Sequence, residues 1–385
     1  MKSQSRFIYS NKFQQYKFHD EHPFNQKRLE LTYDLIQSLN LIEPEHLVEP
    51  RYATDEELTL VHDPNYVMAV KACGEAGVAL PVAASYGIGT EDVPAFLGMH
   101  EATSLIVGGT LRSAELVMEG ICDHAVNLSG GLHHGFRGRA SGFCIYNDCS
   151  VVIAFLRKYY DARVLYVDTD AHHGDGVQWA FYDDPNVLTL SFHETGKYLF
   201  PGTGNVTERG DGQGYGYSTN VPLDAFTEDE SYLDAYREIT SKIAKGFKPD
   251  VIVTQNGCDS HFLDPLTHMS CSMEIFRQIP KHIHELAHEF CDGRLIATGG
   301  GGYDIWRVVP RAWTLLWAEL SGNPITEECQ VPREWLSKWQ PESPIPLVGS
   351  MLDPKEYLPV IPRRPEITSK NKLTLEKALL YIPHC

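Results

Sequence analysis

Six short apolar runs, each rich in β-branched residues and each ending abruptly in polar or glycine-rich sequence, constrain this chain most. They are Ser5–Tyr9, His124–Leu128, Arg163–Val167, Asn186–Leu190, Asp250–Thr254 and Arg294–Thr298. Continuous apolar runs of this length read as strands buried on both faces, which is the pattern of a parallel sheet. Between them lie helical stretches at His100–Met118, Cys149–Tyr160, Glu228–Lys245 and Met273–Phe290. Strand alternating with helix predicts an α/β fold: a doubly wound, mostly parallel sheet flanked by helices. The predicted domain covers residues 1–325. From Val331 to Pro365 there are eight prolines, too dense for a regular helix or a central strand. Residues 326–385 therefore read as an extension packed on the main domain and ending in a short helix near Thr374–Tyr381.

Composition narrows the function classes. The chain has 385 residues, 43% of them hydrophobic and 22% charged, which suits a large buried core. Lys and Arg number 33 against 51 Asp and Glu, a formal net charge of −18. Such a surface repels phosphate backbones, so direct nucleic-acid binding is not expected, whereas lysine-rich segments of other proteins would be attracted. Nine cysteines are scattered without a CxxC pair, so neither a zinc ribbon nor a thioredoxin-type redox motif is present. No signal-peptide run opens the sequence and no apolar stretch is long enough to span a membrane, so a cytoplasmic protein is expected.

The residues just beyond the strands point to chemistry. In a parallel sheet, ligand sites lie beyond the carboxyl ends of the strands. Those positions read SGGLHHG (129–135), DTDAHHGDG (168–176), SFHE (191–194), QNGCDSH (255–261) and TGGGGYD (298–304). On extended chain, Asp168, Asp170 and His172 would project to one side together. Asp170 and His172, joined by Asp259 from another strand end, would make three ligands for a divalent metal with an open position, the pattern of a catalytic zinc site. A lone DxH would more readily be a capping pair, but five such loops converging form a site. The adjacent His133 and His134 point in different directions and would divide their roles: one a general base, the other protonated and electrostatic. Asp168 and Asp175 are carboxylates free to orient them. GGGGY lacks the register of a phosphate loop; its glycines instead allow a tight turn that presents Tyr303, a plausible oxyanion donor.

Taken together, GGLHHGFRGRASGFCIYND, YVDTDAHHGDG, SFHETGKYLFPGTGN, NGCDSHFLDP and TGGGGY resemble the histone deacetylase superfamily, in family order from HPFNQKR (22–28) to GGGGYD (299–304). In length and in its proline-rich tail the chain looks most like the bacterial acetoin utilization protein branch. The resemblance implies zinc ligands at Asp170, His172 and Asp259, with iron(II) as the alternative ion in the cell. It implies tandem active-site histidines at His133 and His134, partnered by Asp168 and Asp175, and a carbonyl-binding tyrosine at Tyr303. Phe143 and Phe200 match the aromatics that sandwich the acyl-lysine stem, Gly142 lines the same tunnel, Leu266 matches its lip and Asp92 its rim aspartate. Arg28 resembles the internal-channel arginine. Backbone carbonyls near Asp168, Asp170, His172, Ser191 and Phe192 would hold a structural potassium ion.

The function so implied is hydrolysis of acetyl-lysine in protein substrates, releasing acetate and linked to acetoin or acetate catabolism. Three rivals stand beside it. A deacetylase of acetylated polyamines would use similar chemistry. A binuclear ureohydrolase would need extra carboxylate ligands, for which Asp264 is the obvious candidate. A non-catalytic acyl-lysine reader would have no need of a base.

Overall fold

In the computed structural model, which describes residues 5–380 and 382, eight strands form one sheet, and every pairing in it is parallel. The strands are β1 (Ser5–Ile8), β2 (Leu47–Val48), β3 (His124–Asn127), β4 (Val164–Asp168), β5 (Val187–Glu194), β6 (Ser218–Leu223), β7 (Val251–Gln255) and β8 (Leu295–Thr298). Their order is β2-β1-β3-β8-β7-β4-β5-β6. Every residue of β3, β4, β5, β7 and β8 is buried, which is why those segments read as unbroken apolar runs. These five strands are also consecutive across the middle of the sheet. Their carboxyl ends therefore open side by side, and the five loops rich in His, Asp and Gly start from adjacent points.

Two strands escape the apolar-run criterion. Strand β6 reads STNVPL and contains Pro222, which cannot donate to a ladder. It pairs only with β5, so it is an edge strand, where proline is tolerated. Strand β2 has two residues and closes the other edge. Three helices of twelve or more residues also form in the main domain beyond the four expected ones, at Lys27–Ser38, Pro64–Ala76 and Val309–Leu320. The first and last of these pack on each other and bury Leu31, Leu35, Trp313 and Trp317. No helix among the described residues is long and apolar enough to cross a membrane.

The tail corrects one expectation. Despite its prolines it contains a helix at Arg333–Trp339. Pro332 precedes the first turn and Pro341 follows the last, so the intervening residues keep their N–H donors. The final helix is also longer than expected, Arg364–Leu379, with Pro365 in its first turn where a missing N–H costs nothing. Tyr381, the expected end of that helix, and Cys385 lie outside the described residues. Trp335 is buried and its indole N–H donates to Leu31 O at 3.1 Å; the Trp339 indole donates to Asp34 Oδ2 at 2.6 Å. Lys27 pairs with Glu342 across the same seam. If this seam belongs to the cooperative unit, Trp335→Ala should lower unfolding free energy by about 3–5 kcal/mol in urea titration. A change within error would show that the tail is energetically separate.

Candidate active site

The candidate metal loop begins where β4 stops. Asp168 is the last residue of the strand, and 169–173 bend away from extended geometry. The alternation expected for Asp168, Asp170 and His172 is therefore not what gathers them. Two side-chain-to-backbone bonds do so instead: Asp170 N donates to Asp168 Oδ1 at 3.1 Å, and His172 N donates to Asp170 Oδ1 at 3.0 Å. Carboxylates that bond the backbone two residues on curl the chain into successive turns. The result brings His172 Nδ1 to 3.1 Å from Asp170 Oδ1 and 2.9 Å from Asp259 Oδ2, the latter reaching in from the end of β7.

Asp170, His172 and Asp259 form a group whose ligand atoms lie within 4.8 Å of one another. All three are buried, the two aspartates almost completely. Burial and the charge of Asp170 raise the Asp259 carboxyl to about 6. Two carboxylates this close and this dry call for a compensating cation. The donor set of two carboxylates and one imidazole fits a catalytic divalent ion. Each carboxylate is also aimed from behind. Asp170 Oδ2 accepts from Gly301 N at 2.6 Å and from the Gln255 amide at 2.7 Å, and Asp259 Oδ1 accepts from Ala171 N at 2.7 Å. At Gly301 a Cβ would stand 2.2 Å from Asp259 Oδ2 and 2.8 Å from Asp170 Oδ2. That close approach is the reason for glycine in the loop after β8.

The tandem histidines flank this group. His133 Nδ1 donates to Asp168 Oδ2 at 2.8 Å, and His134 Nδ1 donates to Asp175 Oδ1 at 2.7 Å. The Tyr166 hydroxyl adds a second donor to Asp168 Oδ2 at 2.6 Å. Both imidazoles are buried, yet their acidities diverge. Burial opposes charge on His133, but Asp168 and Asp170 outweigh it and raise the group to about 9. At His134 burial and the neighbouring His133 charge prevail over Asp175 and lower the pKa. The two shifts run in opposite directions, towards the imidazolium at His133 and towards the neutral base at His134.

Over these groups lies a cavity of about 230 Å³ lined by Asp92, His134, Gly142, Phe143, His172, Leu199, Phe200, Leu266 and Tyr303. All the expected tunnel residues are thereby brought together, and Leu199 joins them. Gly142 has φ 51°, and a Cβ there would meet the His134 ring at 2.5 Å. Phe143 shares the left-handed conformation at φ 68°, uncommon for a side-chain-bearing residue. Tyr16 holds it there: its hydroxyl donates to Phe143 O at 2.7 Å and accepts from Ile145 N at 3.2 Å. The Tyr303 ring stands edge-on to Phe143, with centroids 5.8 Å apart. Arg28 lies fully buried behind the glycine loop, donating to Gly302 O at 3.1 Å and stacked on Phe24 and Trp313.

Two candidates turn out to be supports. The end of β5 sends no ligand: His193 contacts Ser191 and Gly204 O, while Glu194 accepts from the His268 backbone and ring. Asp264 accepts from Tyr303 N at 2.8 Å and Leu266 N at 3.0 Å, so both its oxygens serve the backbone. It is absent from the ligand group, and the binuclear ureohydrolase reading loses its extra carboxylate.

The comparisons with known proteins agree with this geometry. The histone deacetylase domain model matches residues 22–320. The acetoin utilization protein AcuC of Bacillus subtilis (strain 168) is 58% identical over 378 residues, covering 98% of this chain and 97% of that protein. The chain belongs to the histone deacetylase family. Within it, the acetoin utilization branch is the one it shares: AcuC of Staphylococcus aureus (strain MRSA252) is 49% identical over 84% of this chain and 83% of its own. A crystal structure of a histone deacetylase homologue complexed with SAHA superposes with a TM-score of 0.87 at 31% identity, covering 97% of this chain and 99% of that one. A homologue from Aquifex aeolicus gives 0.86 at 32% identity, with the same coverage. Membership makes this a hydrolase of the deacetylase type, in a metal-dependent family.

Several residues that build this deacetylase site carry no chemical signature. Asn147 caps the helix Asp148–Tyr160 and also donates to His133 O and Gly135 O. Asp148 accepts from Gly131 N, Leu132 N and the Thr110 hydroxyl, clamping the loop that carries both histidines. Gln255 and Tyr166 orient Asp170 and Asp168. For Asn147, Asp148 and Gln255 the only sequence signal is position at a helix start or strand end, and Tyr166, in the middle of β4, gives none.

The split between the histidines has a pH signature. A raised folded-state pKa means that the His133–Asp168 pair contributes its full stabilisation below about pH 6.5. That contribution is lost as pH rises through about 9. In metal-stripped protein, imidazole NMR titration should show His133 protonated at pH 7, and Asp168→Asn should shift its midpoint downward. An unshifted midpoint in that variant would remove Asp168 as the cause.

Proposed function

We propose that this protein is a zinc-dependent protein lysine deacetylase, hydrolysing the amide of acetyl-lysine to acetate and free lysine. The observation that carries the reading is the split pair of imidazoles beside the Asp170–His172–Asp259 group, beneath a narrow cavity walled by Phe143 and Phe200. A reader domain needs no base, and here a neutral histidine and a charged one stand over the same group.

Asp170, His172 and Asp259 would hold the ion. When bound, it supplies Lewis acidity to the amide carbonyl and acidifies a water. His134, the neutral imidazole, takes the proton of the attacking water at Nε2, while Asp175 fixes Nδ1–H. The Tyr303 hydroxyl, kept protonated by burial and by Asp259, donates to the oxyanion at the former carbonyl oxygen. His133, held charged by Asp168, stabilises that negative charge. A protonated histidine then gives the departing lysine nitrogen its proton. Phe143 and Phe200 accept only a slim unbranched stem between them, and lysine's four methylenes suit it. Asp92, exposed and lining the cavity, would accept from substrate backbone N–H groups, which a polyamine lacks.

The eight cysteines among the described residues are free, as expected of a reducing cytoplasm. The relatives named acetoin utilization proteins support a link to acetoin or acetate catabolism.

Asp259→Asn should lose both bound metal and turnover, because a neutral amide is a poor ligand. His134→Ala should keep its metal and lose kcat by about 10² or more; loss of metal in that variant would make His134 a ligand rather than the base. Tyr303→Phe should cost about 3 kcal/mol in the barrier. Substrate class is tested by competing an acetyl-lysine peptide against acetylspermidine. The peptide should win in kcat/KM, and Asp92→Ala should erase most of its advantage. A win for the polyamine would move the reading to small-molecule substrates.

A further inference from the structure

The opposite end of the sheet carries a second cluster of potential ligands. The segment HELAH (284–288) lies on the helix Met273–Phe290, and residues four apart share one helix face. The Nε2 atoms of His284 and His288 are 3.2 Å apart. Facing them is His124, the first residue of β3 and so at the amino end of the strands. Its ring centroid lies 4.5 Å from that of His284 and 5.2 Å from that of His288. One nitrogen from each of the three falls within 4.8 Å of the others.

We propose that His124, His284 and His288 form a second metal site, taking a borderline divalent cation of the zinc class and lying apart from the deacetylase centre. Two imidazole ligands of a tetrahedral ion, at about 2.0–2.1 Å each, stand about 3.3 Å apart. The pair His284 and His288 already has that separation. Bringing the third nitrogen to the same distance needs a movement of no more than about 1.5 Å from the 4.8 Å bound.

The outer contacts are those of ligating histidines. His284 Nδ1 donates to Glu319 Oε1 at 2.9 Å, and His124 Nδ1 faces Leu320 O at 3.0 Å. A carboxylate or a carbonyl on the far nitrogen fixes the tautomer that turns the Nε2 lone pair towards a metal. Three imidazoles select zinc, nickel or copper over the oxygen-seeking magnesium and calcium.

The HExxH spacing also occurs in zinc proteases, where the intervening glutamate activates water. Here Glu285 is solvent-exposed and acts on His282, whose Nε2 contacts Thr240 and Ser241 of the helix Asp229–Phe247. The cluster is accordingly a clamp rather than a reaction centre. It joins the start of β3, the end of the helix Met273–Phe290 and, through Glu319 and Leu320, the end of the helix Val309–Leu320.

The test is a metal count on chelator-stripped protein re-equilibrated with Zn²⁺ and freed of excess ion. His288→Ala, at an exposed position, and His284→Gln should each hold about one equivalent fewer than wild type, with acetyl-lysine turnover unchanged. His288→Cys, which restores a zinc ligand, should regain that equivalent. Equal zinc in wild type and His288→Ala overturns the proposal, as does a loss that His288→Cys fails to rescue. Because the readout is a difference of one equivalent, it stands whatever ion the deacetylase centre holds.

Discussion

Two carboxylates buried beside one imidazole are the constraint around which this molecule is arranged. An ionised carboxylate out of water costs several kcal/mol unless it is paired and hydrogen-bonded. Asp170 and Asp259 meet that cost with donors drawn from three strand ends: Gly301 N after β8, Gln255 at the end of β7, and Ala171 N after β4. Each donor imposes a further demand. Gly301 must lack a side chain to come so near, and Gln255 must be the last residue of a strand flanked on both sides. The sheet order that sets β8, β7 and β4 next to one another is what allows one small volume to receive all three. The site is thus not an ornament on the loops; the loops have the shape that two buried charges permit.

The same electrostatics separate two side chains that are chemically identical and adjacent in sequence. His133 and His134 are equally buried, so desolvation alone would leave both neutral. Asp170 acts on His133 in addition to its partner Asp168, and the charge so created then acts on His134. One imidazole is held charged because two carboxylates face it, and the other is kept neutral in part because its neighbour is charged. Opposed protonation states in one site are the usual mark of divided acid and base roles.

Legibility followed physics. Strands buried on both faces were readable because burial forces an unbroken apolar run; β6 was not, because its place at the sheet edge tolerates Thr, Asn and Pro. The helix Arg333–Trp339 was masked by counting prolines without noting that they bracket a proline-free turn. The candidate ligands and bases stood out because Asp, His and Tyr after an apolar strand are hard to explain otherwise. Asn147, Asp148, Tyr166 and Gln255 did not, since each acts by hydrogen bonds to groups that approach only in three dimensions. Strand alternation groups Asp168, Asp170 and His172 for the wrong reason: turns at Asp168 and Asp170, not pleating, bring them together. At the other end of the sheet, the HELAH spacing was visible in one dimension, but its partner His124 lies on a strand far away in sequence.

On the proposed reaction, the cavity and the net charge address opposite ends of the same event. Before hydrolysis the acetylated side chain is neutral, and its methylenes can lie between Phe143 and Phe200 without burying a charge. Afterwards the same nitrogen becomes an ammonium, which an apolar channel holds only at a cost. Outside, a surface with net charge −18 favours that cation over its neutral precursor. The walls therefore favour the substrate and the exterior favours the product, a gradient that runs outward along the path the lysine must take.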